Sequence, residues 1–113
     1  MMYKQGDVLL IPFPYTDLTA TKQRPVLVIS NTTYNETKKD IVVAAITSNL
    51  AEKDYSILIT AEDLDEGHLK IDSAVRADKI YTFSNRIVIK KFGHIKPQVF
   101  SKVKEQIDEL IHI

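Results

Sequence analysis

Arg24 and the pair Thr47-Ser48 are the residues of this chain best suited to holding a phosphate. Arg24 opens a strongly apolar stretch, Pro25-Val26-Leu27-Val28-Ile29, at the end of a polar loop. Thr47-Ser48 closes the next apolar stretch, after Ala45-Ile46. A guanidinium offers a planar fork of donors and stays charged at physiological pH, while a hydroxyl adds a neutral donor. Brought to one rim of a twisted sheet, the two would grip phosphate oxygens. Each also has a plainer reading. An arginine before proline often makes a strand-edge ion pair, and Thr-Ser after a strand often caps a turn. On these residues alone the plainer reading is the stronger.

Other chemistries lack their residues. Only Gly6, Gly67 and Gly93 are available, and no G-x-x-x-x-G-K-S phosphate loop occurs. His68, His94 and His112 are scattered, without metal-ligand spacing or an HExxH motif. No serine stands in a nucleophile-elbow setting. The chain has no cysteine, which excludes disulfides, thiolate catalysis and cysteine-ligated metals.

The elements that would position Arg24 and Thr47 are short strands. Val8 to Phe13, Val26 to Ile29, Ile41 to Ile46, Tyr55 to Thr60, Ala74 to Phe83 and Ile87 to Ile89 are β-branched or aromatic-rich bursts bounded by turn residues. The second and third read as continuous apolar runs, which predicts cover on both faces. Ser84-Asn85 reads as a hairpin turn. After Lys96-Pro97 the period changes: Val99, Phe100, Val103, Ile107, Leu110 and Ile111 share one face of a helix, and Pro97 suits its first turn. Strands followed by one helix predict a small, strongly bent sheet or barrel with the helix packed on it.

Three polar connections, Pro14 to Gln23, Asn31 to Asp40 and Ala61 to Lys70, are longer than hairpins need and are natural places for function. At 113 residues, 44% hydrophobic and 27% charged, the chain is sized for a single domain over residues 1–113. Fifteen basic residues balance fifteen acidic ones, so no net field draws it to polyanions. Eight cations against one acid between Arg76 and Lys104 nevertheless allow a local anionic groove, beside the plainer reading of a solvated face. The longest apolar run, Ile41 to Ile46, is far short of a membrane span, and the start lacks a signal-length apolar stretch. A cytoplasmic location is the expectation.

Gly6-Asp7-Val8-Leu9-Leu10, then Gln23-Arg24-Pro25-Val26-Leu27-Val28-Ile29-Ser30-Asn31, then Ala44-Ala45-Ile46-Thr47-Ser48 resemble the MazF/PemK family of toxin endoribonucleases in order and spacing. Ser73 to Arg86 and the terminal helix resemble the family's second half, so the likeness covers nearly the whole chain. It implies a mainly β fold with a C-terminal helix, an SH3-like, CcdB/PemK-type small β-barrel. It also implies a homodimer that cleaves single-stranded RNA at selected sequences, uses no metal or other cofactor, and is inhibited by a cognate antitoxin. By position Arg24 matches the family's catalytic arginine and Thr47 its partner hydroxyl, with Ser48 as a substitute. Tyr15, Thr16, Lys22, Lys79 and Tyr81 are the expected RNA contacts, and Tyr34 is a further candidate for stacking a base. Lys79 and Tyr81 stand where many members carry Gln and Arg. The loop Pro14 to Lys22 lacks the usual Gly and Arg, so base specificity should differ. The altered loop and zero net charge motivate the alternative, a non-catalytic SH3-like barrel that binds a protein or nucleic acid without cutting it.

Overall fold

A computed structural model describes residues 2–13 and 22–113. Seven strands form one antiparallel sheet: β1 (Asp7–Phe13), β2 (Lys22–Val28), β3 (Asp40–Thr47), β4 (Ser56–Ile59), β5 (Leu64–Gly67), β6 (Ser73–Ser84) and β7 (Lys90–Ile95). Two helices, α1 (Thr32–Lys38) and α2 (Pro97–Leu110), complete it. The strand order is β4-β6-β3-β2-β1-β7-β5.

That order forces the sheet to curl. Laid flat, its two edge strands would stand six spacings apart, roughly 29 Å at ~4.8 Å each. Yet β4 ends at Ile59 and β5 begins at Leu64, joined by a single 3₁₀ turn. Five residue steps reach at most about 18 Å. The sheet therefore bends until its edges meet at a corner, giving an open barrel with a C-terminal helix, as the resemblance implied.

Strict alternation along the strands then builds two cores. On the concave face Val8, Leu27, Ala44, Ile46, Val75 and Ile95 pack with Val99 and Val103 of α2. On the convex face Leu9, Ile11, Val26, Val28, Ile41 and Val43 pack with Phe13 and Phe83. Val26, Leu27 and Val28 are all fully buried, which is why β2 and β3 read as continuous apolar runs rather than alternating ones.

The expected hairpin at Ser84-Asn85 does not form. Strand β6 pairs with β3 and β4, whereas β7 pairs with β1 and β5, so the chain must cross between them. Ser84 instead caps a 3₁₀ turn, Asn85–Ile87, by accepting the Arg86 N–H. Ile87 and Val88 are apolar because they cover the convex core, not because they belong to a strand. Two elements also form where only loops were expected. Helix α1 is polar all round and starts from a cap, the Asn31 side chain accepting the Tyr34 N–H. Strand β5 is short and acidic, and it lies against β7 so closely that a Cβ on Gly93 would sit 2.1 Å from the Glu66 carbonyl oxygen.

One buried acid ties the start of β1 in place. Asp7 accepts the Lys4 N–H at 2.8 Å, and its other oxygen lies 3.3 Å from the Lys91 ammonium, which also reaches Glu66 at 3.1 Å. Burial pushes the Lys91 pKa down, but bonds and charge from Glu66 and Asp7 together outweigh it, so the net shift is upward. Folding thus favours the protonated amine. Its stabilisation is complete below the ordinary lysine value of 10.5 and is lost as pH climbs through the raised value. Lys91→Met is expected to cost about 1 kcal/mol near neutral pH, since the amine is partly exposed and screened. In urea titrations across pH, the gap between wild type and variant should hold to pH 10.5 and shrink above it. A gap that closes in acid and persists in alkali would contradict the assignment.

Candidate functional site

Register brings the two sequence-selected groups together. Val26 of β2 faces Ala45 of β3, and continuing that alignment two residues along each strand sets Arg24 beside Thr47 on one face. On the other side of β3, β6 slips. Ala44 faces Ile80, but the next residue, Ala45, faces Arg76, so residues 77–79 oppose nothing on β3. Unbroken register would have put Arg76 opposite Ser48, on the other face. A slip by an odd number of residues reverses the facing, and Arg76 joins Arg24 and Thr47.

The result is a cleft of about 460 Å³ at the rim of the convex core, with Arg24, Thr47, Arg76 and Lys79 in its walls. Phe13 and Tyr81 also line it, and Asn49 and Glu52 enter from the loop after β3. Its two guanidiniums differ in state. Arg76 is held: one nitrogen donates to the Ser56 hydroxyl at 2.8 Å and another lies 3.1 Å from Asp78. Its side chain is only 12% exposed. Arg24 is half-buried, and among the described residues none forms an ion pair with it. Thr47 is oriented by the backbone. Its oxygen accepts the Asn49 N–H at 3.1 Å, which leaves the hydroxyl hydrogen to be given to a ligand.

The aromatic residues build a wall. Tyr81 meets Phe13 edge-on, with centroids 4.9 Å apart, and stacks beside Phe83 at 6.0 Å. Such packing fixes the tyrosine and the rim it forms.

Of the residues singled out by sequence, Arg24, Thr47, Lys79 and Tyr81 therefore converge. Ser48 is exposed and is not among the cleft-lining residues. Lys22 lies at the start of β2, two residues from Arg24 and on its face of the strand, but outside the cleft lining. Tyr15 and Thr16 lie outside the described residues. Tyr34 sits on α1 and does not line the cleft. The basic stretch from Arg76 to Lys104 does not form one groove. Arg76 and Lys79 face the cleft, Lys91 pairs with Asp7 and Glu66, Lys104 pairs with Asp108, and Lys90 lies 5.0 Å over the Phe92 ring.

Sequence reasoning missed Arg76, Asn49 and Glu52 as site residues. Arg76 was visible only as one cation in a basic run, and the slip that turns it inward has no motif. Asn49 and Glu52 stand in a short polar loop without a recognisable pattern. Among the described residues no group of three or more His, Asp or Glu is placed to hold a metal ion, and no helix is long and apolar enough to cross a membrane.

Comparison with known proteins gives one family and one fold. The profile of the PemK-like, MazF-like toxins of type II toxin-antitoxin systems matches residues 4–111. No curated protein matches the chain. Among solved structures, it is similar to MazF from Deinococcus radiodurans, with TM-score 0.80, 19% identity and coverage of 100% of this chain and 99% of that one. A MazE-MazF structure from the same organism gives 0.82 at 18% identity, again covering 100% and 99%. An endoribonuclease in complex with its cognate antitoxin from Mycobacterial species gives 0.77 at 18% identity, covering 99% and 95%.

The different states of the two arginines have a measurable consequence. Arg76→Ala strands Asp78 and should cost about 2 kcal/mol. Arg24→Ala removes a cation that supports nothing among the described residues and should stay within about 0.5 kcal/mol of wild type. Urea denaturation of both variants checks this, and equal losses would contradict the distinction between a held and an available guanidinium.

Proposed function

The chain belongs to the PemK-like, MazF-like toxins of type II toxin-antitoxin systems, and from that premise we propose that it is a sequence-selective endoribonuclease acting on single-stranded RNA, mRNA in the cytoplasm, without a metal. The observation that carries this reading is the shared cleft, in which an available guanidinium, a held guanidinium and an oriented hydroxyl face one space.

RNA carries its own nucleophile. In the proposed reaction the 2′-oxygen attacks the adjacent phosphorus, and the bond to the 5′-oxygen of the next nucleotide breaks. The 2′-hydroxyl gives up its proton to solvent as it attacks, and the departing 5′-oxygen takes a proton from solvent, leaving a 2′,3′-cyclic phosphate and a free 5′-hydroxyl. Gripping the phosphate so that the 2′-oxygen lies in line makes the attack intramolecular, which is worth several kcal/mol. Negative charge then grows on the non-bridging oxygens. Arg24 meets it with a bidentate fork, Thr47 adds a hydroxyl hydrogen bond, and Arg76 adds fixed positive charge from the neighbouring strand. Two guanidiniums supply the charge stabilisation that a divalent ion provides in other nucleases. Arg24 is not the base, because a guanidinium has almost no neutral form at pH 7. Lys79 and Lys22 would carry the flanking phosphates, with Tyr81 as a fixed wall for a nucleotide; Tyr15 and Thr16 remain candidate RNA contacts.

Partners follow from the same surface. A cognate antitoxin with an acidic extended segment would occupy the cleft in place of RNA. A second copy of the chain is the proposed partner for edge strand β4 and the end of α2, where Leu58, Leu110 and Ile111 are exposed.

Purified protein in excess chelator is expected to cut single-stranded RNA and leave cyclic-phosphate ends. Arg24→Ala should slow cleavage by about 10²–10³-fold, the usual effect of losing one well-placed charge-stabilising donor, and Thr47→Val by about tenfold or more. A 2′-deoxy sugar at the cut site should abolish cleavage. Binding without cutting under every condition would favour the non-catalytic barrel, and full activity in both variants would remove the site.

A further inference from the structure

Two contacts hold Arg76, and they constrain it differently. Asp78 meets Nη2 with both carboxylate oxygens at 3.1 Å, and only Oδ2 accepts a hydrogen bond from it. A carboxylate acting on one nitrogen leaves the planar fork free to swing about that point. Ser56 supplies the second point, its Oγ accepting from Nη1 at 2.8 Å. Contacts on two different nitrogens fix the plane of the guanidinium, and its remaining N–H donors then have a set direction. Ser56 itself is not among the cleft-lining residues, so it reaches the site only through Arg76.

A turn places Ser56 there. Ser56 faces Arg76 across the β4–β6 pair, as the last residue of that register. Tyr55 before it is left-handed, with φ 57°, a costly conformation for a residue with a Cβ. Its carbonyl accepts the Ala77 N–H at 2.8 Å, and Ala77 is the first residue of β6 that opposes nothing on β3. Strand β4 thus grips β6 one residue into the slip and then turns away. Had the ladder run on by one more pair, Asp54 would oppose Asp78, and like charges directly opposite destabilise a sheet. The turn removes Asp54 and leaves Asp78 to Arg76.

We propose that Ser56 is a positioning residue, which aims the Arg76 guanidinium at the scissile phosphate from the place that the left-handed turn at Tyr55 gives it. This inference rests on the proposed reading of the cleft as an RNA-cleaving site. Aim and charge have separable effects. Positive charge attracts RNA from any angle, whereas growing charge on a phosphate oxygen is met by donors that already point at it. Removing the Ser56 hydroxyl should therefore slow the chemical step and spare binding.

Single-turnover cleavage over a range of protein concentrations separates the two. Ser56→Ala should lower the maximal rate about fivefold and keep the half-saturating concentration within about twofold of wild type. Ser56→Thr keeps the hydroxyl and should return the rate to within about twofold. In Arg76→Ala protein, adding Ser56→Ala should slow cleavage no further. Equal falls in both backgrounds, or a fall that Ser56→Thr does not reverse, would make Ser56 a residue of the fold alone and overturn the proposal. Nitrogen NMR of the arginine side chains follows the same contact without RNA. Arg76 should give separate signals for its two terminal nitrogens in wild type and Ser56→Thr, and one averaged signal in Ser56→Ala. Separate signals in all three proteins would also overturn the proposal. If the signals respond as expected but the wild type leaves RNA uncut, the nuclease reading falls and takes this assignment with it.

Discussion

Arg24 and Arg76 face the same cleft because β3 lies between their strands and β6 slips by three residues as it passes Ala44. The site's second guanidinium depends on that slip, while the β2–β3 register sets Arg24 beside Thr47. Without it the second guanidinium would project from the opposite face, and the cleft would hold one arginine and a lysine. With it, two guanidiniums line one small cleft. Asp78 and Ser56 hold one of the pair, and no described residue forms an ion pair with the other. A group left in that state is prepared for an anion before any anion arrives.

The curl of the sheet serves the same end. Joining β4 to β5 through one short turn bends seven strands round α2, and the bend gives the convex face its own core. The cleft opens where that core reaches the rim, so its aromatic wall is held by packing on Phe83 and Phe13 rather than by a flexible loop. At the far end of β1, the buried Asp7 with Lys4 and Lys91 anchors the strand that β2 pairs with, and through β2 it anchors Arg24. Rigidity in the wall and freedom in one guanidinium are complementary parts of one design.

Much of this was legible in the sequence because it follows from period and type. The doubly buried β2 and β3, the terminal helix after Pro97, and the placing of Arg24 and Thr47 at strand ends all come from local pattern. What was not legible depends on pairing between distant strands. Ile87-Val88-Ile89 has strand composition, yet it covers a core, since β6 and β7 are not neighbours. Helix α1 has no apolar period, and only its Asn31 cap announces it. Arg76 looks like any strand cation until the slip is known. The loop acids and amides could be read as solvent-facing, because nothing local distinguishes a polar turn that borders a cleft from one that does not.

The central claim is that Arg24 donates directly to the scissile phosphate. Single-turnover cleavage of RNA with one non-bridging oxygen of that phosphate replaced by sulfur tests it most directly, in wild type and in Arg24→Ala. Sulfur is a poorer acceptor for the guanidinium, so the wild type should slow markedly with one of the two sulfur stereoisomers, while the variant, already lacking the donor, should respond far less. Equal slowing in both proteins would mean that the arginine acts elsewhere, and the grip described for this cleft would be wrong.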